Sequence, residues 1–238
     1  MSATVSNYEI DSVDRSEVLR YLGYAGQTIT PELDSRIDDV IARCIQIGRT
    51  RGIWRVFDVS GSGVRDDGMP FVSLEGTPLA LVGHSICEHL DGAVAVGVMA
   101  VTTGMGVDRE LRRLSLTDHV EQVVFDSAGT TLVERTADAC EADIVSEASR
   151  RGLFCTWRFS PGYGDMPLDT QPVLLATLDA QRMLGITLSS SLLMTPTKSV
   201  TAVVGMFGDP RRSSHPNCSD CICHDFCTIR ATGRTCRG

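Results

Sequence analysis

Lysine is nearly missing from this 238-residue chain: Lys198 stands alone among 21 arginines. Such a bias follows genomic base composition and carries no functional message by itself. The single exception is still a candidate site residue, because an ammonium is a compact point charge where a guanidinium is a broad planar fork. A long apolar run is also missing. The longest, Ala93 to Val101, is interrupted by Gly97 and too short to cross a bilayer, and no basic segment followed by an apolar stretch opens the chain. The expectation is a soluble, cytoplasmic protein without a membrane partner. Basic charge is scarce as well. The formal net charge is -8, divided as -10 over residues 1–207 and +2 over residues 208–238. Nucleic acid is excluded as a partner, since phosphate binding needs clustered basic groups. A secreted disulfide framework is excluded too. The nine cysteines are odd in number, and Cys44, Cys87, Cys140 and Cys155 are scattered singly, as reduced buried thiols are. No internal repeat and no recognisable catalytic triad is present.

What is there suffices for one substantial core. With 42% hydrophobic residues, the chain reads as one α+β domain over 1–207 with a cysteine-rich appendage over 208–238. Residues 15–22 and 31–51 have helical spacing, with Ile37, Val40, Ile41 and Ile45 on one face and Thr30-Pro31 as a start signal. Residues 61–70 read as a polar link to short strands at 71–74 and 79–82. Ser85 is expected to cap a helix over 86–90, with Glu88 completing a capping box. The β-branched run at 93–101 predicts a strand covered on both faces at the centre of the sheet. Two helices over 107–151, broken or bent near Ser127 to Thr131, should follow. A strand over 153–159, a helix over 167–184 and a closing pair of strands at 186–193 and 199–207 complete the pattern. A largely antiparallel central sheet with surrounding helices is the resulting fold class.

The segment Arg158-Phe159-Ser160-Pro161-Gly162-Tyr163-Gly164-Asp165-Met166-Pro167-Leu168 carries the chemistry. Glycine opens backbone conformations closed to other residues, proline fixes φ, and arginine offers paired donors suited to a carboxylate. This is a shaped loop for a small polar ligand. Its order, Arg-x-x-Pro-Gly-Tyr, resembles the S-adenosylmethionine-binding loop of the activation domain of cobalamin-dependent methionine synthase, and the Gly-Asp-x-Pro-Leu continuation is closer to stand-alone relatives of that domain. The multidomain enzymes continue as Pro-Ala-Cys-Pro, to which Asp165 has no counterpart. Met194-Thr195-Pro196-Thr197-Lys198-Ser199-Val200 is similar to a second segment of the same family. The resemblance runs over residues 10 to 207.

The resemblance implies that Arg158, Pro161, Gly162, Tyr163, Gly164 and Asp165 bind S-adenosylmethionine, with Glu134 and Lys198 nearby. Arg158 would pair with the ligand carboxylate, Gly162 would admit backbone groups, and Tyr163 would supply a hydroxyl and an aromatic face. It also implies repair: reductive methylation of cob(II)alamin carried by a corrinoid-binding methyltransferase, with electrons from a donor such as a flavodoxin or ferredoxin. Because no Asp-x-His-x-x-Gly cobalamin motif occurs, the corrinoid would belong to the partner protein. The chain would then be an accessory to methyl transfer rather than an independent catalyst.

In the tail, Cys218, Cys221, Cys223, Cys227 and Cys236 crowd into 19 residues at spacings that can close on one metal ion. Zinc would staple a segment with too few apolar residues for a core of its own, and an iron–sulfur cluster would offer an electron route. His84 and His89 are five residues apart, a poor spacing for sharing a metal, and read as packing or capping residues. Two other functions stay open on the residues alone: a redox or metal-binding protein working through the tail, and a non-catalytic module that holds a corrinoid protein.

Overall fold

The computed structural model describes residues 3–210. In chain order the elements are β1 (Thr4–Asn7), α1 (Arg15–Tyr21), α2 (Pro31–Ile47), β2 (Arg51–Val64), β3 (Pro70–Leu74), β4 (Ala80–Val82), α3 (His84–His89) and β5 (Ala95–Thr102). They continue with α4 (Met105–Thr117), α5 (His119–Arg150), β6 (Phe154–Cys155), α6 (Gln171–Leu178), α7 (Ala180–Leu184), β7 (Thr187–Leu188), β8 (Met194–Thr195) and β9 (Ser199–Phe207). The main sheet runs β4-β3-β2-β5-β9-β6, with β1 beside β2, and every pairing is antiparallel. This is the α+β class that the sequence pattern predicts.

Strand β5 sits between β2 and β9 with all eight residues buried. Its side chains alternate between two cores, as strand geometry requires. Val96, Val98 and Ala100 join Phe57, Leu174, Leu178 and Val203 under α6 and α7. Ala95, Met99 and Val101 join Val133, Ala137, Ile144 and Val204 under α5. A third cluster packs α1, α2 and α4 against the first half of α5.

Several expectations are corrected. Helix α2 stops at Ile47, because Gly48 takes an extended conformation and closes it. The residues beyond form a 14-residue strand, β2, that the periodicity did not reveal. Ile53, Trp54, Val56 and Phe57 are all buried, so the alternation that marks a half-exposed strand is erased, and the expected polar link over 61–70 is partly the far end of β2. Strand β1 was likewise unforeseen. Helices α4 and α5 meet at Asp118, not near Ser127 to Thr131. Asp118 accepts the Glu121 N–H at 3.0 Å as an N-cap. The small residues at 127–131 let neighbours approach: Gly129 lies against Val107 and Lys198. Helix α5 thus runs unbroken for 32 residues, about 48 Å.

The helix expected over 167–184 is divided by Asp179, whose left-handed φ of 56° separates α6 from α7. The closing strands do not pair with each other: β7 and β8 form a separate two-stranded sheet, while β9 joins β5 and β6. Only Phe154–Cys155 of the expected strand at 153–159 is regular, supplemented by one bridge between Phe159 and Val203.

Candidate functional site

The glycine-rich loop leaves β9's edge at the Phe159–Val203 bridge and returns at α6. It holds its shape through its own backbone. Gly162 N–H donates to Met166 O at 2.9 Å, Tyr163 N–H to Ser160 O and Met166 N–H to Tyr163 O. Met166 is driven into the core, 1% exposed, and pins the loop from beneath. Gly162 (φ 86°) and Gly164 (φ 58°) occupy left-handed conformations. A Cβ at Gly164 would also stand 2.7 Å from Ser85 Oγ, so that glycine is fixed by packing against α3 as well as by conformation.

Asp165 explains the correction at α3. Its carboxylate accepts the N–H of His84 at 2.6 Å and of Ser85 at 2.8 Å. The helix therefore begins at His84 after Gly83, without a capping side chain of its own, and the expected Ser85 box does not form. Slight burial pushes the Asp165 carboxyl up, but the two N–H bonds outweigh it and hold it below the usual range. Tyr163 stands edge-on to Phe159 (5.2 Å between ring centres) and Trp157 (6.2 Å). His89 packs against Trp157 at 4.4 Å, with Nε2 3.0 Å from the Trp157 carbonyl oxygen, the packing role expected for it.

Arg158 faces α5. Its Nη1 donates to Asp138 Oδ1 and Glu141 Oε2, each at 2.8 Å, and its Nη2 to Glu134 Oε2 at 3.2 Å. The three acids follow one another at steps of four and three, which places them on one helix face. Burial pushes the Glu141 carboxyl up, and the neighbouring Asp138 charge adds to it against the pull of Arg158. For Arg158, burial favours the neutral form, but the bond to Asp138 and the Glu141 charge prevail and raise its pKa. This guanidinium lines a cleft of about 450 Å³ with Asp14, Glu17, Tyr21 and Arg135.

A second groove of about 450 Å³ lies on the loop's other side, a volume within the range of small-molecule sites. Ser160, Pro161 and Leu168 form one wall, Met194, Thr197, Ser199 and Val200 another, with Glu134 at one end. Glu134 borders both cavities. The two sequence segments are thus brought to one groove, with Pro161 and Glu134 among the expected residues. Gly162, Tyr163, Gly164 and Asp165 shape or dock the loop and do not line it. Lys198 reaches away to α5, where Nζ lies 2.8 Å from both Asp126 Oδ1 and Thr130 Oγ1, and lines a neighbouring cleft of about 790 Å³. Thr197 is held by Asp108, which accepts both its N–H and its hydroxyl.

Sequence reasoning missed Gln171 and Thr201, both buried in the groove wall and joined at 3.0 Å. The available signal was an isolated glutamine opening the apolar run Gln171-Pro172-Val173-Leu174-Leu175. Among the described residues, no cluster of His, Cys, Asp and Glu is arranged to hold a metal, and no helix is long and apolar enough to cross a membrane. The five tail cysteines lie outside the described residues.

The whole chain superposes on a solved structure described as the MetH reactivation domain bound to AdoHcy, with a TM-score of 0.64 at 15% identity, covering 100% of this chain and 87% of that one. At that identity the likeness is one of fold. No curated protein matches the chain in sequence. Residues 88–215, more than half of the chain and including both groove segments, match the family model for the vitamin B12 dependent methionine synthase activation domain. On the loop, the groove and that match together, the chain is a member of the activation-domain family of vitamin B12 dependent methionine synthase.

Proposed function

We propose that the protein binds S-adenosylmethionine in the groove between the glycine-rich loop and β8–β9, and supports reactivation of a methionine synthase-type corrinoid methyltransferase in trans. The observation that carries this reading is the convergence of two family-like segments, some thirty residues apart in sequence, on one groove ended by Glu134. The lining fits such a ligand. Hydroxyls and an amide from Ser160, Thr201 and Gln171 suit a ribose and a base, while Pro161, Leu168, Met194 and Val200 suit a purine face and a methionine chain. Glu134, at the end of the groove, favours a cationic sulfonium or ammonium, and Arg158, bonded to Glu134 at 3.2 Å from the adjoining cleft, could exchange that partner for the ligand carboxylate.

When bound, S-adenosylmethionine would supply a transferable methyl group to the partner's cob(II)alamin, with one electron from a flavodoxin- or ferredoxin-type donor, and would itself be left as S-adenosylhomocysteine. The chain's own contribution is positional: it fixes the ligand's orientation and offers that face to the corrinoid. No protein nucleophile or acid–base pair is required, which makes this an accessory to methyl transfer. Within the same reading, the protein works in the cytoplasm and the tail binds zinc or an iron–sulfur cluster through its five cysteines.

Calorimetric titration of the anaerobically purified full chain with S-adenosylmethionine tests the site. Binding is expected for the natural chain and should vanish in Ser160→Trp, which fills the groove from a half-buried wall position. If the natural chain takes up no ligand, alone or with a cobalamin protein, the reading is wrong.

A further inference from the structure

We propose that Gln171, working with the Leu192 carbonyl, selects adenine over other purines at the inner end of the groove; this rests on the S-adenosylmethionine reading above. Gln171 opens α6 and is 4% exposed, yet it borders the groove. A buried amide in such a place requires fixed partners. The Thr201 hydroxyl, itself 2% exposed, donates to Gln171 Oε1 at 3.0 Å and so decides which way the amide faces. The amide nitrogen is thereby turned to the Leu192 carbonyl, which it meets only at 3.5 Å. A bond of that length is weak, so both groups retain capacity for a ligand.

The Leu192 backbone is unusual in a way that bears on this. It adopts φ 62°, one of only two non-glycine residues with positive φ among the described residues. Its conformation is fixed by Ser189, whose carbonyl accepts the Leu192 N–H at 3.0 Å and whose hydroxyl accepts the Leu193 N–H at 3.1 Å. Backbone strain of this kind persists where surrounding contacts over-determine it, and such positions concentrate at binding sites.

The outcome is an acceptor, the Leu192 carbonyl, beside a donor, the Gln171 amide, flanked by the apolar surfaces of Leu168 and Val200. Adenine presents the complementary order: its exocyclic amino group donates, and the adjacent ring nitrogen accepts. Hypoxanthine, which differs by carrying an oxygen in place of the amino group, presents the reverse order. Its oxygen would face the Leu192 carbonyl, two acceptors opposed with no proton between them.

The experiment compares S-adenosylhomocysteine with S-inosylhomocysteine as ligands of the full chain by calorimetry. The adenosyl compound should bind roughly tenfold or more tightly. In Gln171→Leu both should bind weakly and the preference should shrink to what the Leu192 carbonyl alone supplies, and in Thr201→Val, where the amide is no longer oriented, the preference should narrow. Equal affinity of the natural chain for both overturns the proposal while leaving the ligand site standing, as does a preference that is undiminished in Gln171→Leu. Binding of neither compound by the natural chain overturns the underlying reading and this one with it.

Discussion

The carboxylate of Asp165 accepts the backbone N–H of Ser85 at 2.8 Å across a sequence separation of 80 residues, so the loop that forms the groove wall also caps a helix on the neighbouring strand pair. Removing the carboxylate in Asp165→Ala should cost about 1 kcal/mol, the usual worth of an N-cap. Chemical denaturation measures it. An unchanged midpoint would mean that the loop docks on α3 through Gly164 and Ser85 packing alone.

Arg158 is the counter-ion for three acids, and its removal should be felt more in alkaline than in acid solution. In Arg158→Met, Glu134, Asp138 and Glu141 lose their shared guanidinium, with Arg135 still 3.9 Å from Asp138, and about 2 kcal/mol of stability should be lost at neutral pH. The sign follows from Glu141, whose carboxyl already stands above the usual range. A raised pKa gives stability that is present at low pH and lost as pH rises through the folded value, and deleting the guanidinium raises it further. Melting curves at pH 5 and pH 8 should therefore show the smaller deficit at pH 5.

Met166 anchors the loop by burial rather than by charge. Met166→Ala removes a side chain that is 1% exposed and should destabilise by about 2–5 kcal/mol. It should also weaken ligand uptake at temperatures well below unfolding, because Gly162 and Tyr163 are tied to the Met166 backbone. Full affinity in a measurably destabilised variant would separate the loop's shape from its anchor.

His89 should make the aromatic cluster acid-sensitive. Burial holds its pKa below the ordinary value of about 6.5, against the opposing effect of the Trp157 carbonyl. A depressed pKa contributes stability above pH 6.5 that is lost as pH falls beneath it. Trp157 is 4.4 Å away, so its fluorescence should change across that interval and stay level in His89→Phe.

Much of this architecture can be read from the sequence where one physical signal dominates. The β-branched run at 93–101 announced a doubly covered central strand, and Thr30-Pro31 marked a helix start. The long strand β2 escaped because burial on both faces removes the period-two pattern, and the arginines at 51 and 55 disguise a strand as a polar segment. At the site, the loop's composition showed a shaped backbone but not which face holds the groove. Asp165 illustrates the gap: a carboxylate among glycines resembles a ligand contact until the fold brings α3 against it. Gln171 illustrates the converse, since one polar residue in an apolar helix gains meaning only from Thr201 and Leu192.

The neighbours of β5 come from opposite ends of the described chain, β2 from before it and β9 from nearly a hundred residues after. Any product that stops before Ser199, whether from a premature stop codon or from proteolysis, would leave Ala95–Thr102 with one side unpaired. Eight consecutive apolar or small residues on an open strand edge are a template for intermolecular pairing. Quality control in the cell would therefore meet such fragments as aggregates rather than as partly active protein, and deletion mapping of this domain from its C-terminal side would report solubility before it reports function.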